Sequence, residues 1–255
     1  MAIWLLASIS AVACGGGEGE TLPADKPPAS VNQYKEGFMP AGFSVINDLG
    51  VLQIDQGYSN YLLVNRGRSA VGSGGITVSS GNSIAPVLCI RPVGGKVVVE
   101  SMSFARGGTT QWTLRSEVAA NVDWFVFDAG TAALDVGPGI SVYDATGRLA
   151  YNSNAAEMRV KGIVTTPADP ETSTPAPDVV QAVPANVAAC IASPKARYQY
   201  SGVPVPLPLY VEGVQFEGDN MRVGYVRTRS GPILDDTYIL NDGVTQITLI
   251  DIAGL

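Results

Sequence analysis

Short runs of alternating or β-branched apolar residues, separated by turn residues, leave this 255-residue chain few options other than a β structure. Lys96–Met102 (KVVVESM) and Asp123–Phe127 (DWFVF) are typical of these runs. No window long enough for a stable helix repeats its apolar residues with a period of about 3.6 over good helix formers. The 29 glycines and 17 prolines supply frequent turns. The sequence therefore predicts an all-β fold.

Composition divides the chain into five segments. Residues 1–14 are apolar, and residues 15–38 are rich in glycine and proline, which is typical of an extended arm or linker. Residues 39–165 are predicted to form the main domain, a β-sandwich with two similar hairpins. Prolines at 167, 170, 175, 177 and 184 predict a linker over 166–186. Residues 187–255 are predicted to form a smaller C-terminal β domain.

The two similar hairpins are an internal repeat. Gly42–Asp55 reads GFSVINDLGVLQID, and Gly139–Asn152, which starts 97 residues later, reads GISVYDATGRLAYN. Both segments run from one alternating stretch through a turn into a second. Two explanations stay open at this point. The segments are either duplicated or equivalent parts of one sandwich, or the same common turn arose twice independently.

The turn residues of the two hairpins occupy equivalent positions. Asn47 and Asp144 stand first in the turn, where a side-chain oxygen can accept hydrogen bonds from the nearby backbone. Gly50 and Gly147 stand fourth, where a positive φ closes the turn and leaves a bulge. These four residues are therefore interpreted as structural, and Asp144 as a turn cap instead of an acid or base.

The same motifs carry a resemblance to a known group of proteins. Residues 139–153 (GISVYDATGRLAYNS) and 39–50 (MPAGFSVINDLG) resemble segments of small β-rich proteins encoded beside the tail-tip genes of long-tailed bacteriophages. The resemblance covers roughly residues 39–165, and the first 38 residues depart from it. It implies a tail structural protein and brings no family site residues with it.

Composition excludes several kinds of chemistry. The chain has no histidine, which removes histidine-based triads, histidine-ligated metals and the commonest general base near neutral pH. Its net charge of −7 and the lack of a basic stripe argue against nucleic-acid binding. We expect no catalytic residue, no metal ligand and no cofactor.

Three cysteines occur in the chain. Cys14 follows a short apolar run as in a bacterial lipoprotein signal and would then be lipidated, although no lysine or arginine precedes that run. Cys89 and Cys190 lie in apolar strand-like runs. They are predicted either to be buried free thiols or to form a disulfide, and the sequence does not decide between the two.

The resulting expectation is a structural virion component of a phage tail, from the tail tip or the tail-fibre region. It would act by assembly with other phage tail proteins and as a homo-oligomer, with trimer and hexamer both open. No membrane association is expected unless Cys14 is lipidated.

Two alternatives remain. The first is a lipoprotein on the bacterial outer membrane surface whose β domains bind carbohydrate or protein. The second is a polysaccharide hydrolase that uses carboxylates alone, for which Asp123 and Asp128 are candidates.

Overall fold

The computed structural model describes residues 44–46, 52–55, 60–104, 108–129, 138–144, 146–168, 177–198, 208–230, 238–241 and 243–255. These residues form strands and turns without a helix, so the predicted all-β class is confirmed. Nothing in them amounts to a helix long and apolar enough to cross a membrane. The chain forms two compact units, Met1–Gln56 and Gly57–Leu255.

Eighteen strands lie in the described residues. The first nine are β1 (Ser44–Ile46), β2 (Leu52–Asp55), β3 (Tyr61–Val71), β4 (Ile76–Asn82), β5 (Val87–Val93), β6 (Val98–Ser103), β7 (Thr109–Arg115), β8 (Ala120–Ala129) and β9 (Ser141–Tyr143). The others are β10 (Leu149–Asn152), β11 (Val160–Thr166), β12 (Val179–Ala182), β13 (Val187–Ile191), β14 (Ala196–Tyr198), β15 (Pro208–Glu217), β16 (Asn220–Ser230), β17 (Tyr238–Asn241) and β18 (Thr245–Asp251).

The two repeated segments form hairpins with the same register. In the first unit, β1 and β2 form an antiparallel hairpin with the pairs Ser44–Asp55, Val45–Ile54 and Ile46–Leu52. In the second unit, β9 and β10 form another, with the pairs Ser141–Asn152, Val142–Tyr151 and Tyr143–Leu149. Every pair of the second hairpin lies 97 residues beyond its counterpart, and both hairpins shift register at the same place. A shared bulge and register favour two equivalent hairpins over a chance likeness of turn residues.

The segments that follow the two hairpins also meet each other. Tyr61 accepts a backbone hydrogen bond of 2.8 Å from Met158 N–H, and the Asn60 Nδ2 donates to Glu157 Oε1 at 2.9 Å. Each of these contacts joins residues that are 97 apart. Positions that correspond in the repeat are therefore in contact with each other a few residues beyond the hairpins.

An eleven-stranded sheet contains most strands of the second unit, and β5 and β15 each pair with three strands of it. β8 pairs with β5 over Val87–Val93, and β3 pairs with β8. β13 meets β5 at Ile90, while β15 meets it in parallel at Val93. Pro92, which has no N–H to donate, lies between these two contact points. A gap in the ladder at this position therefore leaves no backbone donor unpaired.

The large sheet joins strands from both sides of the predicted linker. β13 and β18, from the predicted C-terminal domain, lie between β11 and β5 of the predicted main domain. β12, within the predicted linker, pairs with β16 over four residues. The segment 166–186 is therefore not a break between two separate sheets, and the compact unit continues to Leu255. Proline content predicts extended chain, but it does not say which strands the chain will join.

A second, three-stranded sheet in the order β4-β7-β6 packs on the large one. Val78 and Leu114 of the small sheet share one buried cluster with Ile90 and Phe216 of the large sheet. The residue before β6 bridges to β15 through the pair Val97–Val214, and at the neighbouring Gly213 a Cβ would lie 2.6 Å from the backbone oxygen of Val97. Only glycine allows this contact. The packing of two sheets on a common core agrees with the predicted sandwich architecture.

Candidate functional site

A half-enclosed cavity of about 360 Å³ lies between the two sheets of the second unit. The large sheet contributes Leu88 of β5 and Cys190 of β13 to its wall, and the small sheet contributes Val99, Glu100 and Trp112. Its wall is mainly apolar, because strands from both layers turn their inward faces toward it. Cavities of this kind, apolar with a few converging polar groups, are the usual place for small ligands.

Glu100 is the charged residue of this wall, and one of its oxygens is without a partner. Its side chain is 8% exposed, and its Oε2 accepts a hydrogen bond of 2.9 Å from Arg115 Nε. Its Oε1 is buried and has no hydrogen-bond partner among the described residues. Because buried polar atoms are normally paired, the cavity has the chemistry to hold an apolar group that carries one hydrogen-bond donor.

The two cysteines of the second unit lie side by side on β5 and β13. Ala189 pairs with Ile90 in antiparallel register, so Cys190, which follows Ala189, lies opposite Cys89, which precedes Ile90. Both are free thiols, with Cys89 fully buried and Cys190 partly buried against the same cluster. A hydrogen bond between the thiols raises the pKa of Cys89 well above its usual value, and burial raises it further. The same hydrogen bond lowers the pKa of Cys190.

The turn between β9 and β10 is held by Asp144. Its Oδ1 accepts hydrogen bonds from Thr146 N–H at 2.8 Å, Thr146 Oγ1 at 2.7 Å and Arg148 N–H at 2.9 Å, and its Oδ2 accepts one from Arg148 Nε at 2.8 Å. Gly147 has a φ of 80°, and its N–H donates to Asp144 O at 3.0 Å. Every acceptor position of the carboxylate faces the turn, so Asp144 is placed to shape the hairpin.

The titration of Asp144 should report this turn. Hydrogen bonds from the Thr146 side chain, and then from the Arg148 backbone, lower its pKa well below the usual range. The stabilisation is therefore present above the pKa of an unfolded aspartate and is lost as the pH falls through the lower folded value. We expect the amide NMR signals of Thr146 and Arg148 to shift with a midpoint well below that of an ordinary aspartate. Asp144→Asn should abolish this titration, and a midpoint in the ordinary range would contradict the assignment.

Three residues singled out by the sequence lie outside the described residues. These are Asn47 and Gly50, which lie between β1 and β2 in the sequence, and Cys14, the candidate lipidation site. The paired strands β1 and β2 flank Asn47 and Gly50 in the sequence, as the paired strands β9 and β10 flank Asp144 and Gly147. The structural role of Asn47 and Gly50 therefore stays a prediction.

The two carboxylates considered for a hydrolase do not face each other. Asp123 and Asp128 both lie on β8, an odd number of residues apart, so their side chains point to opposite faces of the sheet. Asp123 accepts two hydrogen bonds from Arg68, and Asp128 accepts hydrogen bonds from the backbone N–H groups of Ile84 and Ala85. Each carboxylate is held by its own local partners. The structure does not bring them together into a catalytic pair.

A buried polar cluster that sequence reasoning missed joins Lys195 and Glu212. Lys195 Nζ lies 3.1 Å from Glu212 Oε1, and their side chains are 5% and 4% exposed. Thr166 Oγ1 donates to the same oxygen at 3.0 Å, and Lys195 Nζ donates to Pro167 O at 2.7 Å. Glu212 lies in an otherwise ordinary strand sequence, so no local signal points to its partner.

Comparison of the chain with protein-family models, curated proteins and solved structures returned no match. The described residues also bring together no group of three or more histidine, cysteine, aspartate or glutamate side chains suited to a metal ion. Functional assignment therefore depends on the surfaces and sites of the chain itself.

Proposed function

We propose that the chain is a structural component of a phage tail, at the tail tip or in the tail-fibre region, and that it works by protein–protein assembly. The repeated hairpin motif and its resemblance to tail-associated proteins support the class of protein. The observation that carries the assembly role is the exposed edge strand β11. No catalytic turnover is part of this proposal.

Strand β11 combines an open edge with exposed apolar side chains. It pairs with β18 on one side, and no described strand pairs with its other side. Val160 and Ile163 on this strand are 57% and 60% exposed. Open apolar edges are templates for pairing with another chain, and proteins that stay monomeric usually protect them. A strand added here would pair with the free backbone groups of the edge and place its side chains beside Val160 and Ile163.

A second copy of the chain is the proposed occupant of this edge. β12 is another strand that pairs on one side among the described strands, and its Val180 is 55% exposed. Pairing β11 of one copy with β12 of the next is a head-to-tail contact between two different surfaces. Contacts of this kind close into rings when the rotation allows it. A ring is compatible with either the trimer or the hexamer expected from the sequence.

Incorporation into virions tests both the assignment of the chain to a phage tail and the role of the edge strand β11. Particles of the phage that carries the gene would be purified with wild-type chain, with Val160→Lys and with Val118→Lys. Val118 is the matched control, since it is an equally exposed valine, at 56%, in the turn before β8. We expect wild-type and Val118→Lys peptides in the particles by mass spectrometry. Val160→Lys should be reduced about tenfold or more, because it adds a lysine without an acidic partner beside Lys161, which is paired with Asp251, and an unpaired lysine opposes strand addition at an edge.

The outcomes separate the two parts of the proposal. Absence of the wild-type chain from purified particles overturns the virion assignment. Equal incorporation of Val160→Lys and Val118→Lys overturns the role of β11 alone. Both substitutions are at exposed positions and should change the free energy of unfolding by no more than about 0.5 kcal/mol, which thermal unfolding of the purified variants would verify.

A further inference from the structure

Cys89 and Cys190 are positioned for a bond that the chain does not contain. Directly opposed residues in an antiparallel pair have Cα atoms about 4.5 or 5.5 Å apart, depending on their place in the ladder. Both spacings lie within the range of about 4.4–6.8 Å that a disulfide requires. The register of β13 on β5 puts the two cysteines opposite each other, close enough for each thiol to shift the pKa of the other. A disulfide could therefore form without moving either strand.

The two thiols differ in access. Cys190 is partly exposed, whereas Cys89 is 0% exposed. Both cysteines pack with the cluster that contains Phe125 and Phe127. A small reagent from solvent therefore reaches Cys190 before Cys89. This difference suits Cys190 as the thiol that attacks the reagent and Cys89 as the thiol that then forms the disulfide.

We propose that Cys89 and Cys190 form a peroxide-reactive dithiol site, with the partly exposed Cys190 as the first thiol to react. The Cys190 thiolate attacks one oxygen of a hydroperoxide, which breaks the O–O bond and gives a Cys190 sulfenic acid and an alcohol, or water from hydrogen peroxide. The Cys89 sulfur then attacks the sulfenic sulfur, and water leaves with the proton of the Cys89 thiol. Two thiols are oxidised to one disulfide, and the peroxide takes up both electrons.

The electrostatics of the pair agree with this order of events. The thiolate is the reactive form of cysteine, and the contact with Cys89 lowers the pKa of Cys190. The negative charge of Glu100, which lines the same cavity as Cys190, disfavours a thiolate at Cys190. Arg115 offsets this effect because it is paired with the Glu100 carboxylate. Cys89, whose pKa is raised, keeps its proton until the sulfenic acid has formed. The site is independent of the proposed role in assembly.

Hydrogen peroxide is the probe that tests this site. The parent protein would be the full chain with Cys14→Ser, so that two cysteines remain. After treatment of the folded parent, we expect both thiols to be lost and the intact mass to fall by two hydrogen atoms. Peptide mapping should recover Cys89 linked to Cys190, and a thiol reductant should reverse the change.

Single-cysteine variants test the assigned order. In Cys89→Ala the sulfenic acid of Cys190 should persist and be trapped by dimedone. In Cys190→Ala the buried Cys89 should react about tenfold or more slowly than Cys190 does in the parent. Oxidation to sulfinic acid without a disulfide in the parent overturns the proposal, as does equal reactivity of the two single-cysteine proteins. If Cys89→Ala does not fold, the linked peptide from the parent decides the case alone.

Discussion

Replacing Lys195 by methionine is expected to lower the free energy of unfolding by about 3–5 kcal/mol, because the change leaves the carboxylate of Glu212 buried without its countercharge. The two side chains are 5% and 4% exposed, and the Nζ and Oε1 atoms are 3.1 Å apart. Thr166 would still donate to Glu212, but a hydroxyl offsets only part of the cost of a buried charge. Urea unfolding of the purified chain measures the loss.

Two further variants test whether the loss of stability comes from the buried charge of Glu212. Lys161 is a matched lysine, 46% exposed and 3.1 Å from Asp251, and Lys161→Met should cost less than about 1 kcal/mol because water screens that pair. A double replacement of Lys195 by methionine and Glu212 by leucine should recover most of the loss, since it removes both buried charges. If the double variant is no more stable than Lys195→Met, the cost arises from packing and the charge argument is wrong.

Replacing Phe216 by alanine is expected to cost about 3–5 kcal/mol, the usual range for removal of a buried aromatic ring. Phe216 is 1% exposed and belongs to the cluster shared by the two sheets. The guanidinium of Arg91 lies over its ring, 4.7 Å from the centroid, so the substitution also removes a cation–π contact. Neighbouring strands cannot close the gap easily, because β15 is paired with β16 along its whole length.

Phe104 provides the comparison for this substitution. It is a phenylalanine that is 49% exposed, and Phe104→Ala should change the free energy of unfolding by no more than about 0.5 kcal/mol. Both variants would be unfolded in denaturant beside the wild type. A loss of less than about 1 kcal/mol for Phe216→Ala would contradict the placement of its ring between the layers.

Local features of the structure could be read from the sequence. Alternating apolar runs and frequent turn residues indicate strands regardless of what the strands pair with, so the all-β class followed from them. The turn at Asp144 and Gly147 was equally accessible, because a capping carboxylate and a positive φ act within a few residues. The likeness of the two hairpins was visible too, although their common register needed the structure.

Features that depend on distant residues could not be read in this way. Nothing local in Val187–Ile191 says that this strand lies beside β5, so the predicted boundary at 166–186 cut across one sheet. The same strand pairing puts Cys89 opposite Cys190, 101 positions further along the chain. The partner of Glu212 and the unpaired oxygen of Glu100 likewise follow from packing.

Sequence alone was enough for the class of fold, the turn at Asp144 and the lack of histidine, because these depend on composition and on neighbours along the chain. Tertiary structure decided which strands pair, which charges are buried and which thiols meet. Strand pairing is non-local, and its free energy comes from core packing between segments far apart in sequence. The edge at β11, unpaired on one side among the described strands, and the opposed cysteines Cys89 and Cys190 are both products of that pairing. They are where experiments on this protein should begin.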